Sequence, residues 1–191
     1  MSSEIKADLI KDKSGTKTLA TLSSSAVTLN SDLVFPAGHV IQTVSNFYDT
    51  NNSDTSTSST FAKVSVTTGS VSYPYGATIN NVEANSYVDI TMSFIGYFYN
   101  GTGTEVGGGF GIYKEDVETL KAHVTGFYWY GSGTSAKECR IPINLHFIDE
   151  SPATGSNTYT LGYKAYTNCG IKVMTYSTYQ AFQCTLKEIA Q

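Results

Sequence analysis

Alternation with a period of two dominates this chain from about residue 39 onward. Val88, Ile90, Met92 and Phe94 are separated by Asp89, Thr91 and Ser93, so an extended segment here has one apolar and one polar side. Ile141, Ile143, Leu145 and Phe147 repeat the pattern against Arg140, Asn144 and His146. Pro142 falls inside this second run and predicts an edge strand or a bulge, because proline cannot donate to a ladder. Further strands are predicted over 40–48, 60–67, 70–79, 106–113, 123–130, 157–166, 170–176 and 182–189. Turn-forming residues separate them at Asn100-Gly101-Thr102-Gly103, Gly131-Ser132-Gly133 and Ser151-Pro152. Residues 114–122 have a helix-like composition and predict one or two helical turns, while 49–59 lack apolar residues and predict a loop. So many short strands with regular turns imply a sandwich or barrel, and a jelly roll fits the length best.

The first residues differ in texture. Short apolar pulses at Ile5/Leu9/Ile10, Leu19/Leu22, Val27/Leu29 and Leu33/Phe35 are divided by polar residues. None can bury a core alone, so each needs a partner, either the rest of the chain or the same segment of neighbouring copies. Phe35-Pro36-Ala37-Gly38-His39 reads as a joint. The expected division is an attachment or shaft segment over 1–37 and a β-sandwich head over 38–191.

Composition supports an all-β chain. Among 191 residues, charged ones make up 15% and aromatics 13%, with 14 Tyr; Tyr and Thr suit a pleated, half-wet surface better than a helical bundle. A net charge of −4 and a single arginine, Arg140, argue against nucleic acid, which requires clustered cations. No apolar run approaches a membrane span, and residues 1–13 lack a signal-peptide core.

Candidate chemistry is sparse. His39, His123 and His146 show no metal-ligand spacing, and Glu115, Asp116 and Glu118 crowd one short segment where general acid–base work needs carboxylates across a cleft. There is no G-x-S-x-G elbow, and the glycines at 107, 108, 109 and 111 miss the dinucleotide fingerprint; a bulge or close backbone approach explains them better. The stretch Asp49–Asp54 begins like a calcium loop but has Asp54 where the turn glycine belongs and Thr60 in place of the bidentate Glu. Cys139, Cys169 and Cys184 have no C-x-x-C spacing and read as reduced core thiols. No catalytic residue, cofactor or metal is expected. The one notable cluster is Phe127-Tyr128-Trp129-Tyr130. Its members alternate across a strand, so Tyr128, Trp129 and Tyr130 are candidates for ligand, receptor or subunit contact.

Several short patches resemble a family of small fibre-like or decoration virion proteins of aquatic tailed phages. They are Ile5-Lys6-Ala7-Asp8-Leu9-Ile10 with Ser14-Gly15-Thr16 and Leu19, Phe35 through Gln42, Ser151-Pro152-Ala153-Thr154, and the closing Thr185-Leu186-Lys187-Glu188-Ile189. The resemblance leaves 43–148 unmatched in detail. It implies a homotrimeric head of the tumour-necrosis-factor-like jelly-roll type, held to other virion proteins of a capsid or tail by the N-terminal segment, with Ile5, Leu9 and Ile10 as docking residues. It further implies residence on the virion surface; synthesis in a host cytoplasm is expected from the missing signal-peptide core, no membrane insertion from the missing apolar span, and no enzymatic activity from the missing catalytic motifs. Alternation leaves Tyr97, Tyr99, Tyr113 and Tyr163 on outward faces, an aromatic surface that trimerisation would bury. The alternative is a receptor- or carbohydrate-binding tip that engages a host surface glycan through exposed aromatics. A polysaccharide-degrading tailspike is disfavoured, since no acid pair stands out.

Overall fold

The computed structural model describes residues 9–11, 18–22, 27–29, 37–48, 55–57, 59–68, 71–101, 105–114, 119–130, 137–166, 169–174 and 181–191. Side chains are described for 37–48, 57, 59–64, 75–101, 106–114, 138–166, 169–173 and 181–191. The chain divides into two compact units, Met1–Pro36 and Ala37–Gln191. In the first, β1 (Leu9–Lys11), β2 (Thr18–Leu22) and β3 (Val27–Leu29) form a three-stranded antiparallel sheet with β2 in the middle. Three of the apolar pulses therefore become strands that pair with one another. Leu9 lies opposite Thr21 and Ile10 opposite Ala20; Ile5 lies outside the described residues.

The second unit contains β4 (Val40–Tyr48), β5 (Thr55–Ser56), β6 (Ala62–Lys63), β7 (Ser65–Thr68), β8 (Val71–Pro74), β9 (Gly76–Val82), β10 (Ser86–Asn100), β11 (Glu105–Lys114), β12 (Thr119–Tyr130), β13 (Lys137–Asp149), β14 (Gly155–Ala165), β15 (Gly170–Met174) and β16 (Phe182–Ala190). Its long strands build two antiparallel sheets, β4-β16-β10-β13 and β9-β14-β11-β12. Taking these eight strands in chain order, the first sheet runs first, eighth, third, sixth and the second runs second, seventh, fourth, fifth. That is jelly-roll connectivity, and the unit is an all-β sandwich. Strand β10 organises the first sheet. One of its edges pairs with β13 from Val88 to Asn100, so the other is shared in succession by β16 (Ser86–Ser93) and β15 (Ile95–Tyr99).

Alternation sets the core. Val88, Ile90 and Met92 are fully buried and Phe94 nearly so, and they meet Phe110 and Ile112 of the second sheet within one apolar cluster. A chain of edge-on and tilted rings crosses the sandwich: Tyr48–Tyr75 at 5.4 Å, Tyr75–Phe182 at 5.0 Å, Phe94–Phe182 at 5.7 Å, Phe94–Phe110 at 4.8 Å and Phe98–Phe110 at 5.7 Å. Each such contact contributes roughly 0.5–1.5 kcal/mol beyond its buried area. Ile143 and Leu145 of β13 are buried while Asn144 and His146 are exposed. Pro142 lies opposite Ile95 on a strand that, among the described residues, pairs with β10 alone, so the edge position read from its sequence holds.

Two buried carboxylates flank Val88 across the sheet, Glu188 on β16 and Asp149 on β13. Residues directly opposite on a sheet share a face, so both carboxylates enter the same end of the core. Buried charge demands partners, and both have them. Glu188 Oε1 accepts hydrogen bonds from the Glu83 backbone N–H at 2.7 Å and the Ser86 hydroxyl at 2.8 Å; Oε2 accepts one from the Gln42 amide at 2.6 Å. Asp149 Oδ2 receives the Lys114 ammonium at 2.6 Å and the Tyr159 hydroxyl at 2.7 Å, tying β13 to β11 and β14 of the facing sheet. Nearby, the fully buried Asn157 amide holds the β13–β14 turn through Ala153: its Oδ1 accepts from Ala153 N at 3.0 Å and its Nδ2 donates to Ala153 O at 2.6 Å. At the start of the unit, Gly38 N donates to Ala190 O at 2.8 Å and Ala190 N to His39 O at 2.9 Å.

Three expectations are corrected. Residues 119–122 are strand, not helix, because β12 pairs with β11 there, Thr119 opposite Lys114 and Leu120 opposite Tyr113, with a register shift before Ala122 opposite Ile112; residues 115–118 lie outside the described residues. Thr55–Ser56, placed in a loop, add two residues of strand beside Ile171 and Lys172. Finally, the outward tyrosines are not an exposed aromatic surface. Tyr163 lies opposite Phe110 and therefore points inward, and it is 3% exposed; Tyr97 and Tyr113 are buried at 7% and 4%. Tyr99 is half-buried.

Both carboxylate clamps can be tested by equilibrium unfolding in urea. Glu188→Ala removes the acceptor of three hydrogen bonds; Ser86 keeps Glu83 O and Gln42 keeps Asn80 O, so the Glu83 N–H is the donor left unpaired, and the expected cost is about 2 kcal/mol; an unchanged midpoint would remove Glu188 from the account. Burial by itself raises the Asp149 carboxyl, but hydrogen bonds from Lys114 and Tyr159, the Lys114 charge and the Ser151 N–H outweigh it and hold its pKa below the ordinary carboxylate value. A depressed folded pKa stabilises the fold above the unfolded value, about 3.9, and that contribution fades as pH falls through the lower folded value. Acid destabilisation below about pH 4 should therefore be weaker in Asp149→Asn than in the native chain, and equal acid sensitivity would contradict the clamp.

Candidate functional site: the outward face of the β10 sheet

Because β10 alternates, its odd-numbered residues build an outward face in register with both neighbours. Asp89 lies opposite Ile148 and Lys187, Thr91 opposite His146 and Thr185, and Ser93 opposite Asn144 and Gln183. Farther along, Tyr97 lies opposite Arg140 and Lys172. The first rows are polar and linked to each other. His146 Nε2 sits 2.7 Å from Asp89 Oδ1, Ser93 donates to Asn144 Oδ1 at 2.6 Å, and Ser45 and Thr185 share a hydrogen bond at 3.1 Å. Together Asp89, Thr91, Ser93, Gln183, Thr185 and Lys187 line a shallow groove of about 200 Å³. Among the described residues the exposed large hydrophobics are Val40, Phe47 and Ile148, at 47%, 64% and 41%. All three belong to this face: Phe47 lies opposite Gln183, Ile148 opposite Asp89, and an irregularity between Glu188 and Ile189 brings Val40 opposite Ile189.

At the far end, the ring of Tyr97 is flanked by two cations. The Arg140 guanidinium carbon is 5.4 Å from the ring centroid and the Lys172 ammonium 4.8 Å. Tyr97 stacks on Tyr99 at 5.6 Å with 28° between the planes. Burial, then a hydrogen bond to Glu138 and its negative charge, push the Tyr97 phenol up to about 12, with Arg140 acting in the opposite direction.

The aromatic run singled out from the sequence lies elsewhere. Tyr128, Trp129 and Tyr130 end β12, opposite Gly107, Val106 and Glu105 of the second sheet, and their side chains lie outside the described residues. The glycine-rich stretch forms β11, with a register shift between Gly108 and Gly109 that fits the expected bulge. The cysteines are free thiols. Cys169 and Cys184 are buried and Cys139 half-buried, and burial pushes the Cys184 thiol up to about 12. His146 faces Asp89 and His39 is exposed at the joint, while His123 lies on β12. No group of three or more His, Cys, Asp or Glu suited to a metal ion occurs among the described residues. Sequence reading missed the Arg140–Tyr97–Lys172 row, whose only local signal was the uniqueness of Arg140.

No protein-family model matches the chain, and no curated protein matches it. Solved structures to which it is similar include infectious bursal disease virus, Gx strain, at 10% identity and a TM-score of 0.32, and the Gt strain, at 10% identity and 0.31. The matches cover 87% and 91% of this chain but 41% and 46% of those chains, so it spans less than half their length. The fold assignment stands on the strand pairing.

The tyrosine environment is directly measurable. In a spectrophotometric titration, the difference between native chain and Tyr97→Phe should show the missing phenol ionising at about 12. Ionisation near the ordinary value of about 10 would contradict the packed row.

Proposed function

We propose that this chain is a non-enzymatic virion structural protein of a tailed phage: a homotrimeric fibre or a capsid or tail decoration subunit, anchored by its N-terminal unit with the jelly-roll head exposed. The observation that carries the reading is that Val40, Phe47 and Ile148, the exposed large hydrophobics among the described residues, all lie on the outward side of one sheet. Apolar residues scattered singly on a surface are ordinary, but their confinement to one sheet face makes it the face whose burial against another copy would remove all three from water. Association of identical chains usually closes by rotation, and a three-fold axis would cover this face in every copy. The jelly-roll connectivity and the resemblance at both ends of the chain support the same reading. The resembling patches also include the head's own polar clamps: Glu188 falls in the closing patch, and the Ser151–Thr154 turn is held by Asn157.

Light scattering tests the assembly. The native chain is expected to run at three times its 20.6 kDa mass. Phe47→Asp with Ile148→Asp should yield a folded monomer, because a charge on each apolar contact disfavours burial. A native monomer at every concentration would overturn the reading. Removal of residues 1–37 should leave a trimer that no longer enters particles.

A further inference from the structure

We infer that the Arg140–Tyr97–Lys172 row, with Tyr99 and Glu138, is a binding site for an acidic saccharide, a sugar chain bearing carboxylate or sulfate groups. The site belongs to the Ala37–Gln191 unit and rests on the proposed assembly leaving this end of the face uncovered. Three strands supply it. Register places Arg140 of β13 and Lys172 of β15 on either side of Tyr97, and Glu138 and Gly170 on either side of Tyr99. Glycine at 170 is required by this arrangement, since a Cβ there would fall 2.1 Å from the Tyr99 ring. The Tyr99 ring thus lies flat across its neighbour, with Lys172 5.5 Å from its centroid.

Charge identifies the ligand. Among the described residues neither Arg140 nor Lys172 is in an ion pair, whereas Lys114 and His146 both face carboxylates. The only arginine of a chain with net charge −4 is therefore held over a ring, with its fork of donors uncommitted among the described residues. Guanidinium matches carboxylate and sulfate oxygens in pairs, and a cation already ordered by a ring loses less freedom on binding. Tyr97 itself is buried, but Arg140 and Glu138 are exposed and Tyr99 and Lys172 half-exposed, so the groups that would touch a ligand reach solvent in the single chain. Glu138 narrows the choice. A carboxylate beside two cations repels a dense polyanion such as polyphosphate or nucleic acid but accepts hydrogen bonds from hydroxyls. Tyr99 adds a flat apolar surface for the C–H face of a sugar ring. Acidic saccharides combine those three features. Tyr97 lies eight residues along β10 from Asp89, about 26 Å at strand spacing, so the row is distinct from the end of the face that carries Val40 and Ile148.

Calorimetric titration of the full-length protein decides the matter, with three probes of matched length: a galacturonate oligomer, a sulfated dextran oligomer and an unsubstituted dextran oligomer. At least one acidic probe is expected to bind, the unsubstituted one not, and the two acidic arms tell carboxylate from sulfate recognition. Arg140→Ala with Lys172→Ala should weaken binding about a hundredfold, given the strength of charge-assisted hydrogen bonds. Arg140→Lys should retain part of the affinity, and Lys187→Ala, on the same face but remote from the row, should retain all of it. Folding of each variant is checked by its urea midpoint and its mass by light scattering. Absence of binding to both acidic probes, equal binding of the unsubstituted probe, or undiminished binding by the folded double variant would overturn the site. So would a change of oligomeric mass in the double variant, which would make the row a subunit contact.

Discussion

Everything in the larger unit depends on the register of β10. It is the strand that contacts β13 along one whole edge and hands its other edge from β16 to β15. A slip of one residue would turn Val88, Ile90, Met92 and Phe94 to solvent and bury Asp89, Thr91 and Ser93 instead. Apolar burial already opposes such a slip. The buried Glu188 and Asp149 beside Val88 oppose it more selectively, because their partners sit at fixed points on β4, the β9–β10 turn, β11 and β14. A displaced carboxylate would be buried without those partners, a loss of several kcal/mol on the order of a broken internal ion pair. Polar clamps of this kind add little net stability over a well-packed apolar pair. Their effect is to make one alignment far better than its neighbours.

With register fixed, the outward face is fixed too. Rows formed by β13, β10 and either β16 or β15 bring together residues that no local stretch of chain contains. Inside, rings of Tyr48, Tyr75, Phe94, Phe98, Phe110 and Phe182 bridge the sheets. Two outward tyrosines, Tyr99 and Tyr113, lie across glycines of neighbouring strands, Gly170 and Gly162, which reduces the aromatic surface left to solvent. Among the described residues, the outward face of the β10 sheet carries a polar groove, three separate apolar side chains and a pair of cations around one ring.

The strands whose two faces differ in polarity were legible from the sequence. The runs from Val88 to Phe94 and from Ile141 to Phe147 could be placed with the correct side inward because one set of positions is apolar and the other is not. Legibility failed where both faces are aromatic or where glycine replaces a side chain. From Ile95 to Asn100 the alternation dissolves into Gly96, Tyr97, Phe98 and Tyr99, so the second half of β10 gave no local signal. Tyr163 has the parity of Tyr159, Leu161 and Ala165, all buried, but a face carrying two tyrosines gives no local sign of which side it takes. The helix-like composition of 114–122 conceals a strand whose alternation is itself broken by a register shift between Leu120 and Ala122. Acidic and basic residues around Glu118 and Lys121 favour helix locally, but the edge of β11 offers hydrogen bonds that an isolated short helix cannot match. The Arg140–Tyr97–Lys172 row has no local signature because it exists only once three strands are aligned.

The most direct measurement is of that alignment, through cross-strand nuclear Overhauser contacts in the isotope-labelled protein. The register described here predicts contacts from Thr91 to His146 and Thr185, and from Tyr97 to Arg140 and Lys172. Contacts shifted by one residue, joining Arg140 to Gly96 or Phe98 instead of Tyr97, would contradict it, and the outward face built on it would fall with it.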